Sequence, residues 1–464
     1  MKSSTLLPAT ALAASLLLSA VNGDTCSLGA TEIGGNWYCG SIGSIKYTNV
    51  GYSGAYDEVT HMGVDGSCAT QAKHHQGSLA PLNEELSLHV RGPVHIKQFA
   101  AFVPKTSASK VKKRALNAHL GHLNHHHKAA EKVNRAEQIM TATVNGQVVS
   151  WTADPASYYN SDLSPPGPST SLITVTTTTC LATKPSTTGK PGSIAKENIA
   201  KPMTSISATS SSSIGDEALE TSSSKSSYQR ISYYNAENQI ADNVTFLGNH
   251  GGQGSGTFDI LGASLSYVDR TGTTGSASPA ILADIVIPSA SEIGIFTSQK
   301  CEDDCGFVRP GGVAYHGFGG DDKAFLLEIQ MPRDGKVGFQ GDLPSIWMLN
   351  AKIPRTVQYP QEVHQDCSCW YSGCGEVDLL EALDGDKLKL KSCIHDGFSG
   401  GSSDYFARPT ESTATYLIIF REDTIYIGLV DNLKFPNELT SDYLSNAIAS
   451  NEGLESDFRI AQPV

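Results

Sequence analysis

The segment Gly373–Leu383, GCGEVDLLEAL, sets three carboxylates, Glu376, Asp378 and Glu381, in an ExDxxE pattern within an otherwise apolar run. Successive side chains of a strand point to opposite faces, so Glu376 and Asp378 share a face at spacing two. Glu381, at spacing five, reaches that face only if a β-bulge inserts one residue, and the motif therefore predicts a bulged strand. Two carboxyl groups about 5–5.5 Å apart are what retaining cleavage of a glycosidic bond needs, one ionised as nucleophile and one protonated as acid. Glu376 and Glu381 have the reach for those parts. A third carboxylate between them raises the pKa of at least one member, because like charges in a partly desolvated cleft do not all ionise cheaply. Asp378 would then hold and tune the nucleophile.

An amphipathic helix is the competing reading of this run. Leu379, Leu380 and Leu383 lie at helical spacing, and Asp378 and Glu381 could form one solvated face. The flanks favour the strand. Gly373 and Gly375 at one end and the Asp384-Gly385-Asp386 turn signal at the other leave room for only a short helix.

Sugars bind by stacking their apolar faces on aromatic rings and by polar contacts to hydroxyls. Trp347 in LPSIWMLNA, on the strand-like run before the motif, and Trp370 and Tyr371, in the cysteine-rich stretch entering it, are candidate substrate-binding residues. Each serves equally well as core. His395 follows the motif in KSCIHDGF, and Asp396, Asp404 and Tyr405 follow in a Gly/Ser-rich loop. That loop either presents hydroxyl-binding groups or is plain surface.

The elements that must position these groups fall into four segments. Residues 1–23 carry Lys2, an apolar run over Ala11–Leu18 and small residues at the end, which reads as a cleaved secretory signal. Residues 24–104 are rich in glycine, aromatics and alternating runs: Asn36–Tyr38, Ile45–Tyr56, Leu86–Val90 and Val94–Val103. Residues 105–227 differ. A basic, alanine-rich stretch, Ala115–Met140, could form one helix, a short strand could follow at Ala142–Trp151, and Pro165–Ser227 is a Ser/Thr/Pro tract expected to be a disordered, O-glycosylated linker. Residues 228–464 return to short strand-like runs, Ser264–Val268, Ile281–Ile287, Ala324–Met331, Ser345–Asn350, Thr415–Phe420 and Thr424–Leu429, with few helical signals. This predicts an all-β sandwich or jelly roll. The first β-rich piece, at roughly eighty residues, is small to stand alone and is expected to complete the sheets of the second.

Ten cysteines fit an oxidising compartment. They group as Cys26, Cys39, Cys68 and Cys180, and as Cys301, Cys305, Cys367, Cys369, Cys374 and Cys393, so both groups could close internally. A bridge at Cys374 would pin the motif strand. Zinc is the competing reading of the second group, but the paired CxxC spacing of structural zinc sites is missing. The cluster His119, His122, His125, His126 and His127 has no interleaved acid or cysteine and reads as a solvated run rather than a metal site. Lys110–Arg114 reads as a solvated helix face or as a processing site at Lys113-Arg114. No metal or cofactor is expected. The formal net charge of −13 disfavours nucleic acid and anionic membranes as partners. No later segment approaches the ~20 apolar residues of a membrane span, and Ser456–Val464 lacks a lipid-anchor tail. Asn243-Val244-Thr245 is the only sequon, making Asn243 the candidate N-glycan site. A secreted, extracellular monomer is expected.

PSIWML (Pro344–Leu349), GEVDLLE (Gly375–Glu381), His395 and YLIIFREDTIYIGLVD (Tyr416–Asp431) together resemble the catalytic half of glycoside hydrolase family sixteen. That resemblance assigns the nucleophile to Glu376, its assistant to Asp378 and the acid/base to Glu381. The bulged form of the motif resembles the laminarinase type acting on 1,3-β-glucan. GGNWYCG, LNEELSLHVRGP, IKQFAAFVP, DNVTFLGN, CGFVRPGGVAYHGF, IWMLNAKIPRT and CSCWYSGCGEVDLLEAL are, in this order, similar to the fungal cell-wall proteins described as probable circularly permuted 1,3-β-glucanases. It implies a permuted concanavalin-type jelly roll and a retaining endo-1,3-β-glucanase acting on cell-wall glucan. A transglycosylase using the same nucleophile and a non-catalytic glucan-binding or structural wall glycoprotein are the alternatives. The Cys367–Cys374 stretch departs from the usual family-sixteen pattern, so roles transfer more safely than substrate register.

Overall fold

The computed structural model describes Cys26, residues 29–105, the strand pair 138–144 and 147–153, and residues 227–461 apart from 253, 399, 432 and 433. The expected signal segment, Lys113-Arg114, the five-histidine cluster and the Ser/Thr/Pro tract up to 226 lie outside these residues, as does Cys180.

Alternation of apolar and polar side chains builds the fold. In β1 (Leu86–Arg91), Leu86, Leu88 and Val90 enter the core while Ser87, His89 and Arg91 alternate onto the opposite face. β2 (Glu292–Phe296), β3 (Ser345–Asn350), β4 (Glu376–Ala382) and β5 (Lys389–His395) join it in the antiparallel order β2-β1-β3-β4-β5, the middle of a nine-stranded sheet. The second sheet, ten-stranded, has as its spine Tyr228–Asn235, Val94–Pro104, Lys323–Gln330, Ala414–Arg421, Thr424–Leu429, Ser44–Thr48 and Glu455–Arg459, in that spatial order. The inner faces meet in one core, with Leu88, Val90, Ile346, Met348 and Val377 from the first sheet against Ile96, Phe99, Phe325, Leu327 and Ile418 from the second. The architecture is a β-jelly-roll sandwich.

The outer face of the second sheet is covered by α1 (Ser441–Ala449), whose Leu444 and Ala447 pack with Phe102, Ala324, Leu326 and Leu417. Thr440 caps this helix by accepting the Tyr443 N–H. Among the described residues no helix is long and apolar enough to cross a membrane.

Strands from the N-terminal part of the chain are interior members of both sheets. β1 lies between β2 and β3, Val94–Pro104 between Tyr228–Asn235 and Lys323–Gln330, and Ser44–Thr48 between Thr424–Leu429 and, in parallel, Glu455–Arg459. Withdrawing any of them would strip ladder hydrogen bonds from two neighbours. Pro104 pairs with Tyr228, and Lys105 N–H donates to the Ser227 carbonyl at 3.0 Å, so the chain resumes beside the point where it left. Gly92 carries the chain from β1 into the other sheet. A Cβ there would sit 2.1 Å from the Ile287 carbonyl oxygen, so only glycine fits.

Three expectations are corrected. Residues 138–140, read as the end of a helix over Ala115–Met140, belong to a strand, Gln138–Val144; the rest of that stretch lies outside the described residues. The single strand expected at Ala142–Trp151 is instead divided between two, Gln138–Val144 and Gln147–Ala153, whose antiparallel pairing satisfies backbone groups that one strand would leave open. The two cysteine groups do not close separately. Among the described residues four disulfides are present, Cys26–Cys39, Cys68–Cys367, Cys301–Cys305 and Cys369–Cys374, and the second joins the groups across a sequence separation of 299. The cause is the hairpin Gly54–Met62/Cys68–His75, which packs against the turns preceding β4.

Candidate active site

β4 is bulged where the motif requires it. Against β3, Ile346 pairs with Leu380 and Trp347 with Asp378, which leaves Leu379 over; against β5, Asp378 pairs with Cys393 and Glu381 with Lys391. Leu379 and Leu380 both enter the core, and Glu376, Asp378 and Glu381 emerge on the opposite face. Gly375 sets the entry to the strand. Its φ of +109° lies in the left-handed region, and a Cβ would approach Leu82 Cδ2 to 2.7 Å, so no other residue fits.

Each carboxylate has its own partner. The Trp370 indole N–H donates to Glu376 Oε2. His395 Nε2 lies 3.1 Å from Asp378 Oδ2. Arg91 Nη2 donates to Glu381 Oε1 at 3.3 Å and to Ser345 Oγ at 2.5 Å, while Ser345 Oγ–H is directed at Glu381 Oε1 at 3.4 Å. The cysteine-rich stretch thus contributes directly: the Cys369–Cys374 bridge closes the short 3₁₀ turn Cys369–Ser372 that presents Trp370. Tyr371 packs edge-on against Trp370, with ring centroids 5.1 Å apart.

Trp347 lies on the same face as the three carboxylates, paired in register with Asp378, but is only 5 % exposed. His89 stacks on it at 5.5 Å, Arg91 lies over it, and Tyr56, Leu349 and Ile353 pack around it. It is a packed member of the layer beside Asp378 rather than an exposed stacking platform. The loop after β5 does not line the cleft as a set. Asp396 and Asp404 are buried; Asp404 accepts the Gly40 N–H, and Tyr405 packs edge-on against Tyr38. Asn243, the candidate glycan site, donates its Nδ2 to the Ile231 carbonyl at 2.9 Å and to Ser232 Oγ at 3.0 Å. Cys301, Cys305 and His316 lie close enough to share a metal, but the bridge between the cysteines leaves no thiolate to bind one. Sequence reasoning missed Arg91 and Ser345 as partners of Glu381. The alternation of LSLHVR was the available signal for Arg91.

The carboxylates titrate as one system. Burial, then the Asp378 charge, pushes Glu376 up to about 8 and Glu381 up to about 7. Burial opposes a charged His395, but Cys393 beside it and the Asp378 carboxylate raise its pKa well above the usual range. Both glutamates keep protons in the folded state that the unfolded chain releases near 4.5. Their contribution to stability is therefore present below pH 4.5 and lost as pH rises through about 7 to 8. Glu376→Gln, neutral at every pH, should escape that loss. Urea unfolding should show it more stable than wild type by about 1–2 kcal/mol at pH 8, after discounting for cleft water, with a smaller difference at pH 5.

Comparison with known proteins places the chain in a family. The family described as cell wall protein YJL171C/Tos1 matches in both its parts, the N-terminal at residues 43–104 and the C-terminal at residues 226–447. A Candida albicans relative named probable circularly permuted 1,3-beta-glucanase TOS1 is 37 % identical over 429 residues, covering 88 % of this chain and 90 % of the relative. The chain belongs to the YJL171C/Tos1 family of cell wall proteins. A Saccharomyces cerevisiae member with the same name is 37 % identical over 460 residues, 94 % of this chain and 95 % of that protein. A Schizosaccharomyces pombe member, also named a probable circularly permuted 1,3-beta-glucanase, is 34 % identical over 480 residues. No solved structure matches the chain. The two stretches matched to the Tos1 family lie either side of residues 105–225, and each contributes to the cleft: Arg91 from the first, Glu376, Asp378 and Glu381 from the second.

Proposed function

We propose that this Tos1-family chain is a retaining endo-1,3-β-glucanase acting on cell-wall glucan. The observation that carries the reading is the bulge of β4, which turns Glu376, Asp378 and Glu381 onto one face with separate partners. The names of the relatives support glucan as the substrate.

In this mechanism a Glu376 oxygen attacks the anomeric carbon and forms an ester as the glycosidic C–O bond breaks, and the Glu381 proton passes to the departing oxygen. Water then loses a proton to Glu381 as it attacks the same carbon, and Glu376 leaves as a carboxylate. In the empty cleft the higher proton affinity falls on Glu376, whereas attack needs that group bare. A glycosidic oxygen held against Glu381 draws the shared proton there, and the Trp370 N–H favours the ionised form of Glu376. A sugar hydroxyl in place of water turns the same intermediate to transglycosylation.

Product analysis on laminari-oligosaccharides tests the reading. Shorter products that keep the β-configuration support hydrolysis, longer ones transfer, and uncleaved oligosaccharides bound by both wild type and Glu376→Gln would leave a binding protein instead. Trp370→Phe keeps the ring and removes the donor. It should lower kcat about tenfold, and the acid limb of the pH–rate profile should move upward, because the lost bond had favoured ionised Glu376. An unshifted limb would dissociate Trp370 from the chemistry.

A further inference from the structure

Beyond Arg91 the cleft face continues into a polar row that the chemistry above leaves unused. Arg91 pairs in register with Ser345 on one side and with Glu292 of β2 on the other. The Glu292 side chain is 17 % exposed. Its Oε1 accepts from Gln358 Nε2 at 2.7 Å and lies 3.4 Å from His89 Nδ1, and its Oε2 accepts the Tyr359 hydroxyl at 2.7 Å. Gln358 is fixed in turn by Asn249, whose Nδ2 donates to Gln358 Oε1 at 2.7 Å.

With its hydroxyl tied down, the Tyr359 ring is still 57 % exposed. A large aromatic ring anchored at its polar tip while much of its surface meets water adds little to folding. It is well suited to stack on the apolar face of a sugar. Burial alone would raise the Glu292 pKa, but the bonds from His89, Tyr359 and Gln358 hold it below the usual carboxylate range. Of the ~four lone-pair positions of a carboxylate, three are taken by these partners, which leaves one acceptor for a sugar hydroxyl.

We propose that Tyr359 and Glu292 form a glucose-binding subsite of the cleft, beyond Arg91 on the β2 side, that grips a β-glucan chain away from the bond being broken. The inference rests on the glucanase reading of the cleft. Tyr359 stacks on one glucose ring, and Glu292 accepts a hydroxyl from the same residue. Binding energy gained there reaches the transition state only for chains long enough to span both places.

The test compares kcat/KM on laminari-oligosaccharides of increasing length for wild type, Tyr359→Ala and Tyr359→Phe, together with calorimetric Kd values in the Glu376→Gln background. Tyr359→Ala should lower kcat/KM about tenfold on the longest chains and flatten its rise with length, and should weaken Kd in parallel. Tyr359→Phe, which keeps the ring but not its tether, should fall between. An equal loss at every length, or no loss at any, overturns the subsite. If wild type leaves every oligosaccharide intact, the glucanase reading fails separately. The calorimetry still decides the subsite in that case, since Tyr359→Ala must weaken binding if Tyr359 stacks on the chain.

Discussion

Glu376→Ala is expected to lower kcat on laminari-oligosaccharides by about 10³-fold or more, with binding retained, because no other group on β4 can form the covalent intermediate from the same position. The two glutamates can then be told apart chemically. Glu376→Ala leaves space beside the anomeric carbon on the nucleophile's side, so added azide attacks there and yields a glycosyl azide of inverted configuration. Glu381→Ala keeps the nucleophile and loses the acid. Azide then intercepts the glycosyl-enzyme from the other side and yields an azide of retained configuration. Product configuration read by NMR checks both roles in one experiment. Identical azides from the two variants, or none with activated substrates, would sink the assignment of Glu376 and Glu381.

The largest stability effect is expected at Arg408. Its side chain is fully buried beside an equally buried Asp342, with Nη2 to Asp342 Oδ1 at 2.7 Å. The same guanidinium donates to the carbonyls of Met331, Pro332 and Lys387. It thereby fastens the segment leading into β3 to the turn that leaves β4. Arg408→Ala leaves the buried Asp342 carboxylate with only the half-exposed Arg333, whose Nε lies 3.1 Å from Oδ2, and orphans those carbonyls, so urea unfolding should show a loss of about 3 kcal/mol. The double variant Arg408→Met, Asp342→Leu removes both charges and should lose less than the sum of the single changes. Additive losses would mean that the pair is not coupled. The activity of folded Arg408→Ala should also drop, since Glu381 sits near the end of β4 that this contact holds.

The motif strand β4 was legible because its carboxylates and its geometry share one short segment. ExDxxE in a strand needs one extra residue to bring Glu381 into line, and β4 supplies it at Leu379. β1 was legible as well, since LSLHVR alternates without a break. β2 and β5 escaped notice. EIGIF has a glycine at its centre, and in KLKSCIH Ser392 interrupts the apolar alternation between Leu390 and Ile394 on the core face. Asp396 and Asp404 looked like solvent-facing loop groups because local composition is polar, yet both are buried; the Gly40 N–H that Asp404 accepts comes from a segment 364 residues away.

By itself, the sequence determined which residues can do chemistry, that they lie on a bulged strand, and that the chain is a β-rich member of its family. These follow from side-chain type and a two-residue period, which are local. Only the tertiary structure decided what surrounds the three carboxylates. Arg91 reaches Glu381, and Glu292 comes to lie beside Arg91, through strand pairing between distant segments, and Cys68 meets Cys367 through the packing of a hairpin on a turn. Strand order is set by burial of whole faces in one core, a sum over many contacts that no short stretch of chain encodes.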